Sequence, residues 1–178
     1  TVDLVKKLPP RNPGYIGRGV GVAIINYNTT KQTIRALESL RHSTESPCWV
    51  ALLDNGPRDD SLERAIECFE PYQEAVLTYY RSPRNTGFAE GCNILIDRLL
   101  SDKECEFILL LNNDAVALPR LLVAMVDALE SGPRAGMVGC RVHKLALPAK
   151  VDTLGISIYQ SLMPADRHDV GDVFVGPT

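Results

Sequence analysis

The sequence predicts an α/β fold, a doubly wound and mostly parallel central sheet flanked by helices. Three observations predict it. Segments of strand character alternate four times with segments of helical period, joined by short connections. The strand segments are short continuous apolar runs, such as Phe107-Ile108-Leu109-Leu110-Leu111, a pattern expected of strands covered on both faces. Each run stops abruptly at polar residues, and the carboxyl ends of strands are where open parallel sheets hold ligands.

Residues 1–19, with Pro9, Pro10, Pro13 and three glycines, read as an irregular lead-in. Val20 to Asn26 is the first strand. The helix over 29–43 places Thr29 and Gln32 at capping-box spacing and Ile34, Leu37 and Leu40 on one side. Trp49 to Asn55 is the second strand. In the helix over 59–69, Asp60 and Glu63 stand at cap spacing, and Leu62, Ile66 and Phe69 form the apolar stripe. Ala75 to Tyr80 is the third strand, 88–100 the third helix, and Glu106 to Asn112 the fourth strand. The fourth helix opens at Pro119, which a first helical turn tolerates, and stops before Gly132-Pro133. Gly136 to Cys140 reads as a short fifth strand. Beyond Cys140 no period is clear, so loops and edge strands are expected.

At 178 residues the chain is long enough for one domain with a substantial core, and 45% hydrophobic residues make it globular. A formal net charge of −3 offers no basic footprint and argues against nucleic-acid polymers as partners. The cysteines (Cys48, Cys68, Cys92, Cys105 and Cys140) are odd in number and form no CxxC pair. That usage suits a reducing, cytoplasmic compartment and excludes a disulfide scaffold. His42, His143 and His168 lie far apart, which argues against zinc. The longest apolar runs fall well short of the ~20 residues that a spanning helix needs. Any membrane association would therefore be peripheral, at the inner face. Both ends read as cut, so the chain is expected to be a fragment.

The polar residues at the strand ends form the candidate site. After the first strand come Asn26, Tyr27 and Asn28; after the second, Asp54, Asn55 and Gly56. After the third come Arg84, Asn85 and Gly87, and after the fourth, Asn112, Asn113 and Asp114. Asn, Asp and Gly are also ordinary turn residues, so Asn55-Gly56 is open to either reading. Gly87 permits a tight bend before a helix whose first N–H groups, with Arg84, suit an anion such as a diphosphate. Asn93 is a poor residue for a helix interior and is expected to have a partner. Asp114 lies too far ahead of Pro119 to cap that helix simply. With Asn112 it offers oxygen ligands for a hard cation, Mg²⁺ or Mn²⁺, which takes few protein carboxylates and completes its shell with phosphates. Other chemistries lack their motifs: there is no GxxxxGK[ST], no GxGxxG after the first strand and no GxSxG. The first strand also lacks the paired carboxylates that a phosphoacceptor receiver would carry after it.

Four stretches, VAIINYNTT, LLDNGPRDDS, RNTGFAEGCN and LLLNNDAVALP, stand in this order and spacing. Together they resemble the nucleotide-binding half of inverting glycosyltransferases of family 2, which have the Rossmann-like GT-A fold. The resemblance runs from about Val20 to Asp152, and the Asn-x-Asp form of the metal motif is most similar to the rhamnosyltransferase-like branch. It implies a donor-binding domain over 20–152, with 153–178 the incomplete start of an acceptor-side segment. It further implies a pyrimidine-nucleotide sugar as donor, dTDP-rhamnose or a UDP-sugar, and a glycan or lipid-linked acceptor such as cell-surface polysaccharide. Tyr27 and its loop would line the base pocket, and Asp54 would accept from the pyrimidine N–H. Arg84, Asn85 and Gly87, with Asn93 nearby, would border the diphosphate. Asn112-Asn113-Asp114 would stand for the family's Asp-x-Asp motif, Asp114 binding Mg²⁺ or Mn²⁺. An inverting transfer also needs a general base. The family's acidic motif for it does not come after Asp114, and Asp166, Asp169 and Asp172 lack its context. The base is expected beyond Thr178.

Overall fold

The structure, a computed structural model, describes residues 1–11, 18–101, 104–158 and 164–166, the last three and 156–158 by backbone alone. The chain divides into two compact units, Thr1–Val126 and Asp127–Thr178.

The first unit is built on a five-stranded sheet. Its strands are β1 (Asp3–Leu8), β2 (Val20–Asn26), β3 (Trp49–Asn55), β4 (Val76–Ser82) and β5 (Phe107–Leu110), in the order β1-β4-β3-β2-β5. The last four run parallel and β1 is antiparallel to β4. Helices α1 (Thr30–Leu40), α2 (Ser61–Glu67) and α3 (Phe88–Leu100) carry the crossovers, and α4 (Leu121–Ser131) follows β5. The chain winds outward from β2 through β3 to β4, then returns past β2 to β5. The winding therefore reverses between β2 and β5.

Side chains alternate between the two faces, as a pleated strand requires. Val20, Val22 and Ile24, with Val50, Leu52, Leu77 and Tyr79, join Leu37 and Leu40 of α1, Leu62 and Ile66 of α2, and Leu122 and Val126 of α4 in the larger core. Ala23, Ala51, Leu53 and Tyr80 meet Leu95 and Leu99 of α3 on the other face. Small residues on that face let α3 lie close. A Cβ on Gly91 would come within 3.0 Å of Ile25, and one on Gly21 within 3.0 Å of Leu99 and of the Cys105 sulfur.

The structure corrects several expectations. The lead-in 1–19 contains β1, whose backbone pairs with β4 from Asp3 opposite Arg81 to Leu8 opposite Leu77. Lys6 and Lys7 hid it from a hydrophobic reading, yet lysines suit the outer strand of a sheet. Its Pro13 lies outside the described residues. Neither expected cap forms through its side chain: the Thr29 hydroxyl turns to Asn26, and Asp60 turns to Arg81. The strand over 106–112 shortens to Phe107–Leu110. It lies at the sheet's end, only partly buried, with Leu110 46% exposed. Residues 136–140 form no strand; two of the five are glycines, and Met137 is 93% exposed, so no apolar face is buried there.

In the second unit β6 (Val142–Lys144) and β7 (Leu147–Thr153) form an antiparallel hairpin, and β8 (Ile156–Ile158) pairs antiparallel with β9 (Pro164–Asp166). Most of 153–178, with Asp169 and Asp172, lies outside the described residues.

Candidate functional site

The polar residues at the ends of the parallel strands converge on the sheet's carboxyl edge, and strand parity sorts them. Asn26 and Asp54 continue the rows that face α1 and α2. They stand side by side in the register, with Arg81 next to Asp54 on β4. Asn55 continues the row that faces α3. The two rows do different work.

The first row is buried and interlocked. Asp54 is fully buried and Asn26 1% exposed. The Asn26 amide donates to Asp54 Oδ1 at 2.7 Å, and the Tyr79 hydroxyl donates to Asp54 Oδ2 at 3.0 Å. The Arg81 guanidinium lies 3.8 Å from the same oxygen while pairing with Asp60 and Glu63 of the α2 region at 2.8 Å each. Burial raises the Asp54 pKa above its ordinary value, and the Asn26, Tyr79 and Arg81 contacts pull it back. Burial, then the Asp54 charge, raises the Tyr79 phenol. On its other side Asn26 Oδ1 accepts from the Thr29 N–H and hydroxyl, both at 3.2 Å, and from the Thr33 hydroxyl at 2.8 Å.

The second row shapes a turn. Asn55 donates from Nδ2 to Asn85 Oδ1 at 3.2 Å and to the Gly87 carbonyl at 3.0 Å, while its Oδ1 accepts from the Thr86 N–H and hydroxyl. Gly56 (φ +78°) lies so close to this loop that a Cβ there would sit 2.3 Å from the Asn85 nitrogen. Asn55-Gly56 is thus a turn, and one that fixes the loop before α3.

Between these rows and the 111–114 turn lies an open cavity of about 410 Å³. Seven of the expected residues line it: Tyr27, Asn55, Asn85, Gly87, Asn112, Asn113 and Asp114; Thr29, Phe88 and Leu111 share the wall. It sits at the reversal between β2 and β5, the position where open α/β sheets bind ligands. The other five do not line it. Asn26 and Asp54 are buried behind its wall. Asn28, at φ 56°, accepts from the Arg58 N–H at 2.9 Å. Arg84 is exposed, pairs loosely with Glu90 at 3.7 Å and is not among the lining residues. Asn93 is exposed on α3, on the side away from the buried residues Leu95 and Leu99. Thr29, Thr33, Tyr79 and Arg81 were missed by the sequence reading. The repeat of two threonines one turn apart, and a Tyr-x-Arg at the end of a strand, were the available signals.

The sequence matches the family described as Glycosyl transferase family 2 over residues 21–150. The chain belongs to glycosyl transferase family 2. Among solved structures, S. aureus TarS 1–349 in complex with UDP-GlcNAc gives a TM-score of 0.50 at 18% identity, over 72% of this chain and 41% of that one. The same TarS segment in complex with UDP gives 0.50 and 18%, over 72% and 42%. At that identity the likeness speaks for the fold, and the match spans less than half of the TarS chains. No curated protein matches at a significant level.

A family 2 site raises the question of a divalent cation. Among the described residues no group of three or more His, Cys, Asp and Glu side chains could cage one. The cavity instead offers the exposed Asp114 carboxylate beside the Asn112 amide, while the Asn113 NH₂ is turned to Thr29 and Thr33. That donor set fits a hard cation which draws its remaining ligands from phosphate oxygens and water.

Proposed function

We propose that this chain binds a pyrimidine-nucleotide-diphosphate sugar and serves an inverting, metal-assisted glycosyl transfer to a glycan or lipid-linked acceptor. The observation that carries the reading is the cavity at the β2–β5 reversal. It brings Tyr27, Asn55, Asn85, Gly87 and the Asn112–Asp114 turn together in a chain of glycosyl transferase family 2. Tyr27, 45% exposed, offers a ring face to the base. Asn85, Gly87 and the first turn of α3 border the diphosphate, and Asp114 holds Mg²⁺ or Mn²⁺ against it. The cation's part is to neutralise charge that develops on the diphosphate as it leaves. In this reading Asp54 supports the pocket from behind instead of touching the base. Among the described residues Asp114 is the one carboxylate lining the cavity, so the proton of the acceptor hydroxyl is assigned to a base outside it.

Two donors rank first. The Asn-x-Asp form of the motif favours dTDP-rhamnose, while S. aureus TarS, of the same fold, is solved with UDP-GlcNAc. We place the reaction in the cytoplasm, at the inner membrane face for a lipid-linked acceptor; no described helix is long and apolar enough to cross a membrane. The test is calorimetric titration of dTDP and UDP, with and without Mn²⁺, into this chain and its Asp114→Ala variant. Metal-enhanced binding that the variant loses supports the reading and ranks the bases. A folded chain that binds neither nucleotide overturns it. Binding indifferent to metal removes Asp114 from its role and favours a non-catalytic nucleotide-sugar module.

A further inference from the structure

Asn113 joins the 111–114 turn to the buried row. Its Nδ2 donates to the Thr29 hydroxyl at 2.5 Å and to the Thr33 hydroxyl at 2.9 Å, residues 84 and 80 positions away. Both hydroxyls donate in turn to Asn26 Oδ1, and Asn26 Nδ2 donates to Asp54. The direction of every bond is set from one end. Both oxygens of Asp54 accept, one from Tyr79 and one from Asn26, so the NH₂ of Asn26 faces Asp54 and its carbonyl faces the threonines. The Thr29 hydroxyl proton goes to Asn26, and the Thr33 hydroxyl proton goes to Asn26 at 2.8 Å with the Thr29 carbonyl, at 3.2 Å, as a second acceptor. Each threonine oxygen can then only accept from Asn113, whose NH₂ must turn inward and whose carbonyl oxygen must turn away from the hydroxyls. Charge-anchored chains of this kind reinforce each link.

We propose that this relay, Asp54–Asn26–Thr29/Thr33–Asn113, is a positioning device for the cation site: it fixes the Asn113 amide and thereby holds the turn that carries Asp114. Asn113 is then a positioning residue, with no nucleotide contact of its own required. Thr33, fully buried and not among the residues that line the cavity, controls how well Asp114 engages metal. The device spans the reversal between β2 and β5, where no main-chain ladder continues past Leu111, whose N–H bonds the Ala23 carbonyl. Side-chain bonds take over where the sheet's own bonds end.

The proposal rests on the reading of Asp114 as the metal carboxylate, and its test separates the two. The quantity measured is the ratio of nucleotide affinity with Mn²⁺ to that without, by calorimetry on the whole chain. Thr33→Val keeps the shape of the side chain and deletes the hydroxyl; Thr33→Ser restores it. The expected result is a ratio reduced about tenfold or more in Thr33→Val and recovered in Thr33→Ser. Asn113→Ala breaks the relay from the cavity side without disturbing the core, so it covers the case in which Thr33→Val folds poorly. Combining Thr33→Val with Asn113→Ala is expected to lower the ratio no further than either change alone, since both cut one chain. A general loss of packing would lower both affinities alike and leave the ratio unmoved; that outcome overturns the relay while the metal site stands. A wild-type chain whose nucleotide binding ignores Mn²⁺ overturns the metal reading, and the relay with it.

Discussion

Asp54 of β3 and Asn26 of β2 stand opposite each other in the parallel register and share a hydrogen bond of 2.7 Å at the last step of the ladder. Beyond that step polar side chains carry the connection between β2 and its neighbours. Arg81 extends the connection sideways to α2, and Thr29 and Thr33 extend it up to the 111–114 turn. One buried carboxylate thus ties together segments that the chain order keeps 25 to 84 residues apart. The cavity is built on that tie.

Arg81 is expected to be the costliest polar residue to remove. It faces three carboxylates and also donates to the Asp59 carbonyl at 3.1 Å. Arg81→Leu leaves Asp54, Asp60 and Glu63 without their shared counter-charge, for a loss of roughly 2–4 kcal/mol. Arg81→Lys should recover only part of this, because one ammonium cannot reproduce the guanidinium fork. Urea denaturation measures both. Variants within about 0.5 kcal/mol of wild type, the level of an ordinary surface change, would show that the cluster is held by other contacts.

Asp54 gives the fold a pH dependence. Its pKa in the folded chain is raised above the ordinary 3.8, first by burial and slightly by Asp59, against Asn26, Tyr79 and Arg81, which lower it. The folded state therefore holds the proton more tightly than the unfolded state does. The contribution is fully present below about 3.8 and fades as pH rises through the folded value. Asp54→Asn has no such titration. The melting temperature of wild type minus that of Asp54→Asn should fall as pH is raised above 3.8 toward neutrality. A difference that grows instead would mean that the Arg81 and Asn26 contacts outweigh burial.

Much of this architecture was legible in the sequence, for reasons that particular residues make plain. The runs at Val20 and Trp49 could only be covered strands, and their polar ends marked the binding edge. The apolar run of β5 suggests a strand covered on both faces because periodicity reports hydrophobicity, not whether another strand lies beyond. Asn26 and Asp54 are pocket candidates by their place at strand ends, although counting by two from Ile24 and Leu52 puts them on the side that faces α1 and α2. The relay was beyond reach, because Thr33 acquires its meaning only when folding brings Asn113 to it from 80 residues away.

Two glycines at left-handed backbone should respond differently to alanine. Gly56 (φ +78°) would place its Cβ 2.3 Å from the Asn85 nitrogen and 2.6 Å from the Arg84 carbonyl carbon, both backbone atoms that cannot swing aside. Gly87 (φ +81°) meets nothing within 4 Å and bears conformational strain alone. Gly87→Ala should cost about 1–2 kcal/mol, and Gly56→Ala distinctly more, with weaker nucleotide binding because the 84–87 loop must move. Chemical denaturation of the pair gives the order; equal costs would refute the close approach of the two turns.

At the opposite, amino edge of the sheet, Cys48 and Cys105 are 57 residues apart in the chain, yet their sulfurs lie 3.2 Å from each other. Gly21 of β2 makes room for them, since a Cβ there would sit 3.0 Å from the Cys105 sulfur. Oxidised glutathione should convert this pair to a disulfide: one thiolate forms a mixed disulfide, the other displaces glutathione, and two reduced glutathione molecules leave. The exposed Cys68 and Cys140 should carry single glutathione adducts instead. Peptide mapping by mass is expected to find Cys48 joined to Cys105, with a thermal midpoint several degrees higher that returns on reduction, because the link closes a long loop of the unfolded chain. Glutathione on Cys48 or Cys105 singly, with no joined peptide, would place the two sulfurs farther apart than this structure has them.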